Sequence, residues 1–155
     1  FAFYPTLFLV LSMLKLTDIE LHDAAVDDQL TLSFDDRQRS RLPATTDKGV
    51  AVGLFLPRGK VLRNGMVLTG TQGYKVRVKS ASEELSVVKC NDPLLFARTC
   101  YHLGNRHVAL QILPGELRYL SDHVLDQMVK GLGLNVTYET LAFDPESGAY
   151  HNHGH

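Results

Sequence analysis

The sequence predicts an α+β protein of two small domains, the first built of strands and the second of strands and helices. The chain has 155 residues, a length that suits one domain or two small ones. Apolar residues make up 45% of it and charged residues 21%, which is ordinary globular usage and argues against disorder. Hydrophobic residues alternate at strand spacing up to about residue 80, and helical spacing begins only after residue 90.

The first domain, residues 13–80, is predicted to be an all-β domain of short strands. Turn signals close its alternating or β-rich runs, at Pro57-Arg58-Gly59 and at Asn64-Gly65. No segment of this part has a convincing helical period. The predicted strands lie at 30–34, 50–56, 61–62, 66–68 and 74–79.

The second domain, residues 85–142, begins with a predicted strand at 85–90. A helix follows, with Asp92 at the N-cap and Pro93 at the first helical position, an arrangement that suits both side chains. This helix is expected to stop at Gly104, which would be the C′ glycine.

Two more strands, a second helix and a last strand complete this domain. The strands are predicted at 108–112 and 116–120, and Ser121 can cap the helix. Its apolar stripe has helical spacing and ends at Gly131 and Gly133; the stripe consists of Val124, Leu125, Met128, Val129 and Leu132. The last strand alternates Leu134, Val136 and Tyr138. The order β-α-β-β-α-β is the ferredoxin-like arrangement.

Both ends of the chain are expected to lie outside these domains. Residues 143–155 have no apolar periodicity and predict a flexible tail. Residues 1–12 are strongly apolar but lack the basic region and the cleavage site of a secretory signal, and they are too short to span a bilayer. We expect Met13 to be the native start and residues 1–12 to be an upstream extension; a membrane-surface anchor is the alternative.

Charge and cysteine content exclude several classes of protein. Sixteen Lys and Arg against seventeen Asp and Glu give a net charge of -1, which argues against nucleic acid or an anionic membrane as the main partner. Cys90 and Cys100 are too few for a disulfide framework and too far apart for a typical zinc pair, so a reduced cytoplasmic chain is expected. The sequence has no phosphate-binding loop and no nucleophile-elbow serine, and we expect no enzymatic activity.

Histidines provide the clearest chemical signal. Three of the seven fall in the last five residues, at His151, His153 and His155, where an imidazole recurs at every second position. Imidazole suits nickel, copper and zinc, so this pattern predicts metal binding. A solvated end or a purification remnant is the alternative.

Three further histidines are candidate ligands in the second domain. His102 and His107 flank one turn, and a surface or backbone-bonded histidine is the alternative for each. His123 falls in the first turn of the second helix, where a positive charge opposes the helix dipole. Metal binding at this position would require neutral imidazole.

Three alternating arginines form a candidate docking patch. On a strand, Arg37, Arg39 and Arg41 would all face the same way. The patch would either bind a partner or form a solvated edge that discourages aggregation.

Several of these segments occur together in one known family. They are 36–42 (DRQRSRL), 54–59 (LFLPRG), 101–107 (YHLGNRH), 113–119 (LPGELRY), 122–125 (DHVL) and 143–150 (FDPESGAY). In this order they resemble the UreE family of urease accessory nickel metallochaperones, and the resemblance covers Met13 to His155. It implies an N-terminal domain similar to a peptide-binding module and a ferredoxin-like domain that dimerises and binds nickel.

The resemblance also implies roles for particular residues. The histidine that closes the GNRH segment, here His107, is expected at a two-fold axis where two copies share one ion, and His102 is a lesser candidate. Some members carry a His-x-His pair at a peripheral site. Here Ser121 and His123 occupy those positions.

The expected function is therefore that of a cytoplasmic, homodimeric chaperone that delivers Ni(II) to apo-urease. Its expected partners are urease and the urease accessory proteins, including the accessory GTPase, and Zn(II) and Cu(II) are alternative ions for the same sites. A general divalent-metal storage protein and a ferredoxin-like RNA-binding module are the alternative functions. The RNA-binding alternative is weakened because the strand at 108–113 has no aromatic residue. A metal-dependent hydrolase would need fixed ligands that a mobile tail does not supply.

Overall fold

The structure is a computed structural model that describes residues 13–20 and 25–148. The chain divides into two compact units at the boundary between Ser80 and Ala81. The predicted α+β class and two-domain layout are confirmed. Within the described ranges no helix has the length and apolar character needed to cross a membrane. Residues 1–12, predicted to be an upstream extension, lie outside the described part.

The described residues of the N-terminal unit form a six-stranded sheet, one short α-helix and a 3-10 turn at Thr71–Gly73. Its elements are β1 (Leu14–Glu20), β2 (Asp28–Leu32), α1 (Phe34–Arg37), β3 (Arg41–Thr45), β4 (Ala51–Phe55), β5 (Val67–Gly70) and β6 (Lys75–Ser80). The strand order is β2-β6-β5-β1-β4-β3, with β1/β4 and β2/β6 parallel and the other pairs antiparallel. One face packs on a core that includes Leu16, Leu30, Val52, Leu54, Leu68, Val76 and Val78.

The predicted strand at 30–34 ends two residues early because a helix begins there. Ser33 is the N-cap of α1, and its hydroxyl accepts a hydrogen bond from the backbone N–H of Asp36 at 3.2 Å. Leu62, predicted to lie in a short strand, is instead part of the irregular connection before β5, although its side chain is completely buried.

The predicted single-faced arginine patch is not formed, because Arg37 lies in α1 and is completely buried. Its Nη1 donates to the carbonyl of Leu62 at 3.4 Å, and its guanidinium lies 5.6 Å from the ring centroid of Phe34. The backbone N–H of Leu62 donates in return to the Arg37 carbonyl at 2.9 Å. Arg39 is exposed and pairs with Asp35 and Asp36, and Arg41 lies on β3. Arg37 therefore anchors the 57–63 connection to α1, and its complete burial prevents contact with a partner protein.

Replacing Arg37 by Met is expected to lower the free energy of unfolding by about 1 to 2 kcal/mol, because the Leu62 carbonyl loses its buried donor. Urea unfolding monitored by circular dichroism measures this change. Arg39→Met is the matched control and should change the free energy by less than about 0.5 kcal/mol, since its ion pairs are exposed. Equal effects of the two substitutions would contradict the anchoring role.

The C-terminal unit has the predicted β-α-β-β-α-β order. Its elements are β7 (Ser82–Lys89), α2 (Pro93–Asn105), β8 (Gln111–Leu113), β9 (Glu116–Leu120), α3 (His123–Gly131) and β10 (Thr137–Ala142). The strands form an antiparallel sheet in the order β10-β7-β9-β8, the ferredoxin-like topology. Its core contains Val88, Leu103, Leu110, Leu117, Tyr119, Leu125 and Val129.

Helix α3 begins one residue later than predicted, because its N-cap is one position further along the chain. Asp122, and not Ser121, is the N-cap, and its carboxylate accepts from the backbone N–H groups of Val124 at 2.8 Å and Leu125 at 3.1 Å. Of the predicted apolar stripe, Leu125 and Val129 are buried, whereas Val124 is 61% exposed. The helix ends at Gly131, as predicted.

A buried carboxylate links α3 to the sheet. Asp126 Oδ1 accepts from the Tyr119 hydroxyl at 2.6 Å and from the Ser86 hydroxyl at 2.7 Å, and Oδ2 accepts from Tyr138 at 2.8 Å. Burial by itself would raise the pKa of Asp126, but these hydrogen bonds and the nearby charge of Lys130 outweigh it and lower the pKa below its ordinary value. Burial and the bond to Asp126 raise the pKa of Tyr119. The carboxylate is therefore held in its charged form.

The stretch predicted as a flexible tail, residues 143–155, begins with packed residues. Phe143 is completely buried. The backbone N–H of Asp144 donates to Gln111 Oε1 at 3.2 Å, and that of Glu146 donates to the Leu110 carbonyl at 2.8 Å. Sequence periodicity missed this contact because it consists of backbone hydrogen bonds and one aromatic anchor. Residues 149–155 lie outside the described part.

Candidate metal centre

Helix α2 carries two of the candidate histidines near its C-terminal end, and its start is fixed as predicted. The carboxylate of Asp92 accepts from the backbone N–H groups of Leu94 at 3.0 Å and Leu95 at 3.2 Å, and Pro93 follows at the first helical position. Thr99 and Leu103 are the residues of α2 that are fully buried. They orient the helix on the sheet.

Two backbone hydrogen bonds terminate α2 and place His107 in an unusual backbone conformation. The N–H of His107 donates to the Gly104 carbonyl at 3.0 Å, and that of Val108 donates to the Leu103 carbonyl at 3.5 Å. This is the Schellman pattern, and its usual apolar contact is provided by Leu103 and Val108, which share a hydrophobic cluster. His107 takes the C′ position, with φ +57°.

The prediction that Gly104 is the C′ residue is therefore wrong. The helix continues through Gly104 to Asn105, and Arg106 is the C-cap. His107 is the residue in the left-handed conformation, at a position where glycine is usual. For most other residues this conformation costs about 1 kcal/mol or more of folding free energy. Histidine tolerates this region better than most residues but remains uncommon there. A strained residue whose imidazole is exposed suggests a functional role.

His102 and His123 have ordinary surface positions. His102 lies in the last turn of α2, is exposed, and meets the edge of the Tyr101 ring at a centroid distance of 5.4 Å. His123 is the exposed first residue of α3, beside the capping Asp122. His151, His153 and His155 lie outside the described residues.

No complete metal site is present within one copy of the described chain. Among residues 13–20 and 25–148, no three His, Cys, Asp or Glu side chains come together in a group that could hold an ion. Cys90 is a buried free thiol and Cys100 is a half-buried one whose pKa is raised by burial, which disfavours the thiolate that binds metal. Any site built on His107 needs ligands from beyond this set.

Two family models match the chain, and together they cover almost all of the part from Leu14 onward. The description "UreE urease accessory protein, N-terminal domain" applies to residues 14–81, and "UreE urease accessory protein, C-terminal domain" applies to residues 83–155. The chain belongs to the UreE family. The UreE resemblance stated from the sequence motifs is thereby confirmed, and the boundary between the two UreE models falls within two residues of the structural boundary after Ser80.

Several UreE proteins are similar to this chain over most of their length. The urease accessory protein UreE of Alkalilimnicola ehrlichii is 53% identical over 138 residues, covering 89% of this chain and 85% of the relative. That of Citrobacter koseri is 50% identical over 150 residues, covering 92% and 99%. That of Escherichia coli O157:H7 is 47% identical over 148 residues, covering 92% and 96%.

Proposed function

We infer that this chain is a cytoplasmic, homodimeric nickel chaperone that delivers Ni(II) to apo-urease, acting with the other urease accessory proteins and the accessory GTPase. The observation that carries this proposal is the position of His107. The backbone that carries this exposed imidazole is fixed immediately after a helix by two hydrogen bonds, in a conformation that costs stability. Membership of the UreE family supports the link to urease maturation.

The proposal requires two copies of the chain around one ion. One imidazole per copy is too few to hold nickel, whereas a two-fold axis through the site doubles the ligand set. Leu94 and Tyr101 are seven residues apart on α2, which places them on one face, and they are 59% and 67% exposed. These side chains offer apolar area for the second copy on α2, the helix that His107 follows.

The packed segment after β10 explains how the terminal histidines can contribute. Glu146 is bonded to Leu110, which is only three residues beyond His107, so the tail starts close to the proposed site. His151 is five residues after Glu146 along the chain, a separation that spans at most about 18 Å. His151, His153 and His155 are therefore proposed as additional, exchangeable ligands, with His102 and His123 as lesser candidates.

Such a set of ligands suits a carrier. Nickel is the cargo, and it must be bound tightly enough to be collected and loosely enough to be released. Neutral imidazoles from two copies leave room in the coordination sphere, whereas a closed cage of thiolates would retain the ion. Zn(II) and Cu(II) fit the same imidazoles and compete with nickel.

Calorimetric titration with Ni(II), Zn(II) and Cu(II), followed by activation of apo-urease with the loaded protein, tests the proposal. We expect about one tight ion per dimer and transfer of nickel to urease. A storage protein, the main alternative, would bind nickel but would not speed activation beyond that obtained with the same amount of free nickel. That result would overturn the chaperone function.

Nickel binding is expected to weaken steeply on acidification from pH 8 to pH 5. Each imidazole must be neutral to bind the ion, so several of them acting together make the dependence steeper than one would. Titrations at a series of pH values measure it. An affinity that stays constant over this range would mean that carboxylates hold the metal.

A further inference from the structure

One face of the N-terminal sheet exposes a phenyl ring where β1, β4 and β3 lie side by side. Phe55, at the end of β4, is 42% exposed, while its neighbour Leu54 is buried in the core. In the strand register Arg41 lies opposite Phe55, and Gly53 lies between Lys15 and Pro43. We call this surface the Phe55 face; it consists of Lys15, Arg41, Pro43, Gly53 and Phe55.

Gly53 allows the ring of Phe55 to lie over its own strand. A Cβ atom at Gly53 would lie 2.9 Å from Phe55 Cε2 and 3.0 Å from Met13 Sδ, so the ring and the methionine occupy the space of the missing side chain. Glycine inside a strand costs about 0.5 to 1 kcal/mol relative to alanine. The absence of a side chain at Gly53 lets the Phe55 ring lie against the sheet, where it provides a preformed apolar surface.

Two cations flank this apolar surface. Lys15 Nζ and the Arg41 guanidinium carbon are each 5.5 Å from the Phe55 ring centroid. Arg41 Nη1 is fixed by the carbonyls of Leu56 at 2.8 Å and Ser40 at 3.1 Å, so the guanidinium is held in place. Among the carboxylates that the structure describes, none forms an ion pair with Lys15 or Arg41.

The chemistry of the Phe55 face selects an acidic, partly apolar ligand. Residues 13–80 contain eleven Lys and Arg against eight Asp and Glu, so the whole domain is positively charged. Pro43 removes one N–H from the open side of the edge strand β3, which disfavours the addition of a strand there and favours contact across the face. We propose that the Phe55 face docks an extended acidic segment of a partner protein, with an apolar side chain on Phe55 and carboxylates on Arg41 and Lys15.

This proposal deepens the proposed function and rests on it, because a chaperone that hands over a metal must hold the protein that receives or supplies it. The two remain experimentally separable. The Phe55 face lies in the N-terminal domain, whereas every candidate metal ligand lies in the C-terminal one.

The test uses the full chain and a short fluorescein-labelled peptide rich in Glu, with Leu and Phe at intervals. We expect Phe55→Ser, and the double variant Lys15→Gln with Arg41→Gln, each to weaken peptide binding by about tenfold, or about 1.4 kcal/mol. Phe55→Tyr should retain binding. Lys79→Gln, which removes an exposed charge from β6, is the matched control and should change the affinity by less than about twofold.

Several results would overturn the docking proposal. These are failure of the parent chain to bind the peptide at about 1 mM, equal weakening by the Lys79 control, and equal binding of a peptide with Gln and Asn in place of its acids. A change of oligomeric state in Phe55→Ser, measured by sedimentation, would instead make the face a contact between copies of this chain.

Nickel titration of the same variants separates this proposal from the proposed function. If both are correct, Phe55→Ser binds nickel like the parent but activates apo-urease poorly. If the parent binds the acidic peptide but no nickel, the docking face stands and the chaperone function fails. If Phe55→Ser activates urease as well as the parent does, the face is not used for transfer and the docking proposal fails.

Discussion

Replacing His107 by Gly is expected to weaken the tightest nickel-binding event strongly while making the fold more stable. The proposed dimer would lose two imidazoles, and at about tenfold per ligand the affinity of that event should fall by about a hundredfold. The left-handed conformation of residue 107 suits glycine, so the free energy of unfolding should rise by about 0.5 to 1 kcal/mol. Calorimetric titration and urea unfolding of the same preparation measure the two effects.

Matched variants separate the ligand role of His107 from its backbone role. His107→Asn keeps a residue that tolerates the left-handed region but lacks the imidazole, and it should bind nickel as weakly as the glycine variant. His102→Ala and His123→Ala should lose less affinity than either. Deleting residues 151–155 should lower the total nickel bound and keep the first event at reduced affinity. If His107→Gly titrates like the parent while the tail deletion abolishes binding, the shared site does not exist.

Replacing Asp126 by Ala is expected to destabilise the C-terminal domain by about 3 to 5 kcal/mol. The buried carboxylate accepts hydrogen bonds from Tyr119, Ser86 and Tyr138, and its loss leaves buried hydroxyls without their acceptor. Tyr138→Phe removes a single donor from a side chain that is 60% exposed and should cost much less than the loss of the carboxylate. Glu139→Gln on the same strand is exposed and serves as the control. Thermal and urea unfolding measure all three.

The same carboxylate predicts how stability depends on acid. Because folding lowers the pKa of Asp126 below the ordinary value of 3.8, the stability that it contributes is complete above that value. This contribution to stability is lost as the pH falls from 3.8 toward the lower pKa of the folded state, because the unfolded chain then binds more protons than the folded one. We expect Asp126→Asn to flatten this part of the stability profile. An unchanged acid dependence in that variant would contradict the assignment.

Local signals in the sequence were enough for most of the fold. Asp92 and Pro93 specify the start of α2 by themselves, because a cap and a first-turn proline act over a few residues. Alternating residues specified the central strands for the same reason, since one face of each strand must reach the core. The family could also be recognised, because its motifs are contiguous segments of the chain.

The rest depends on contacts between distant residues. Arg37 has the same spacing as Arg39 and Arg41, and only its contact with Leu62, 25 residues away, decides that it is buried. The choice between Gly104 and His107 as the helix stop depends on how Leu103 and Val108 pack in the core. The position of Asp126 on the buried face of α3, between Leu125 and Val129, was the one signal that could have revealed its network.

In the proposed chaperone, the backbone hydrogen bond from Glu146 to Leu110 would affect how quickly nickel is transferred. This hydrogen bond fixes Glu146 at Leu110, and the chain length limits His151 to within about 18 Å of Glu146. One imidazole confined to a sphere of that radius has a local concentration on the order of tens of millimolar. In the proposed site, an ion released from His107 would therefore find a tail imidazole competing with other ligands at that local concentration. On this proposal, release to a recipient is a competition between nearby ligands, and the length of chain after Glu146 sets the balance between retention and transfer.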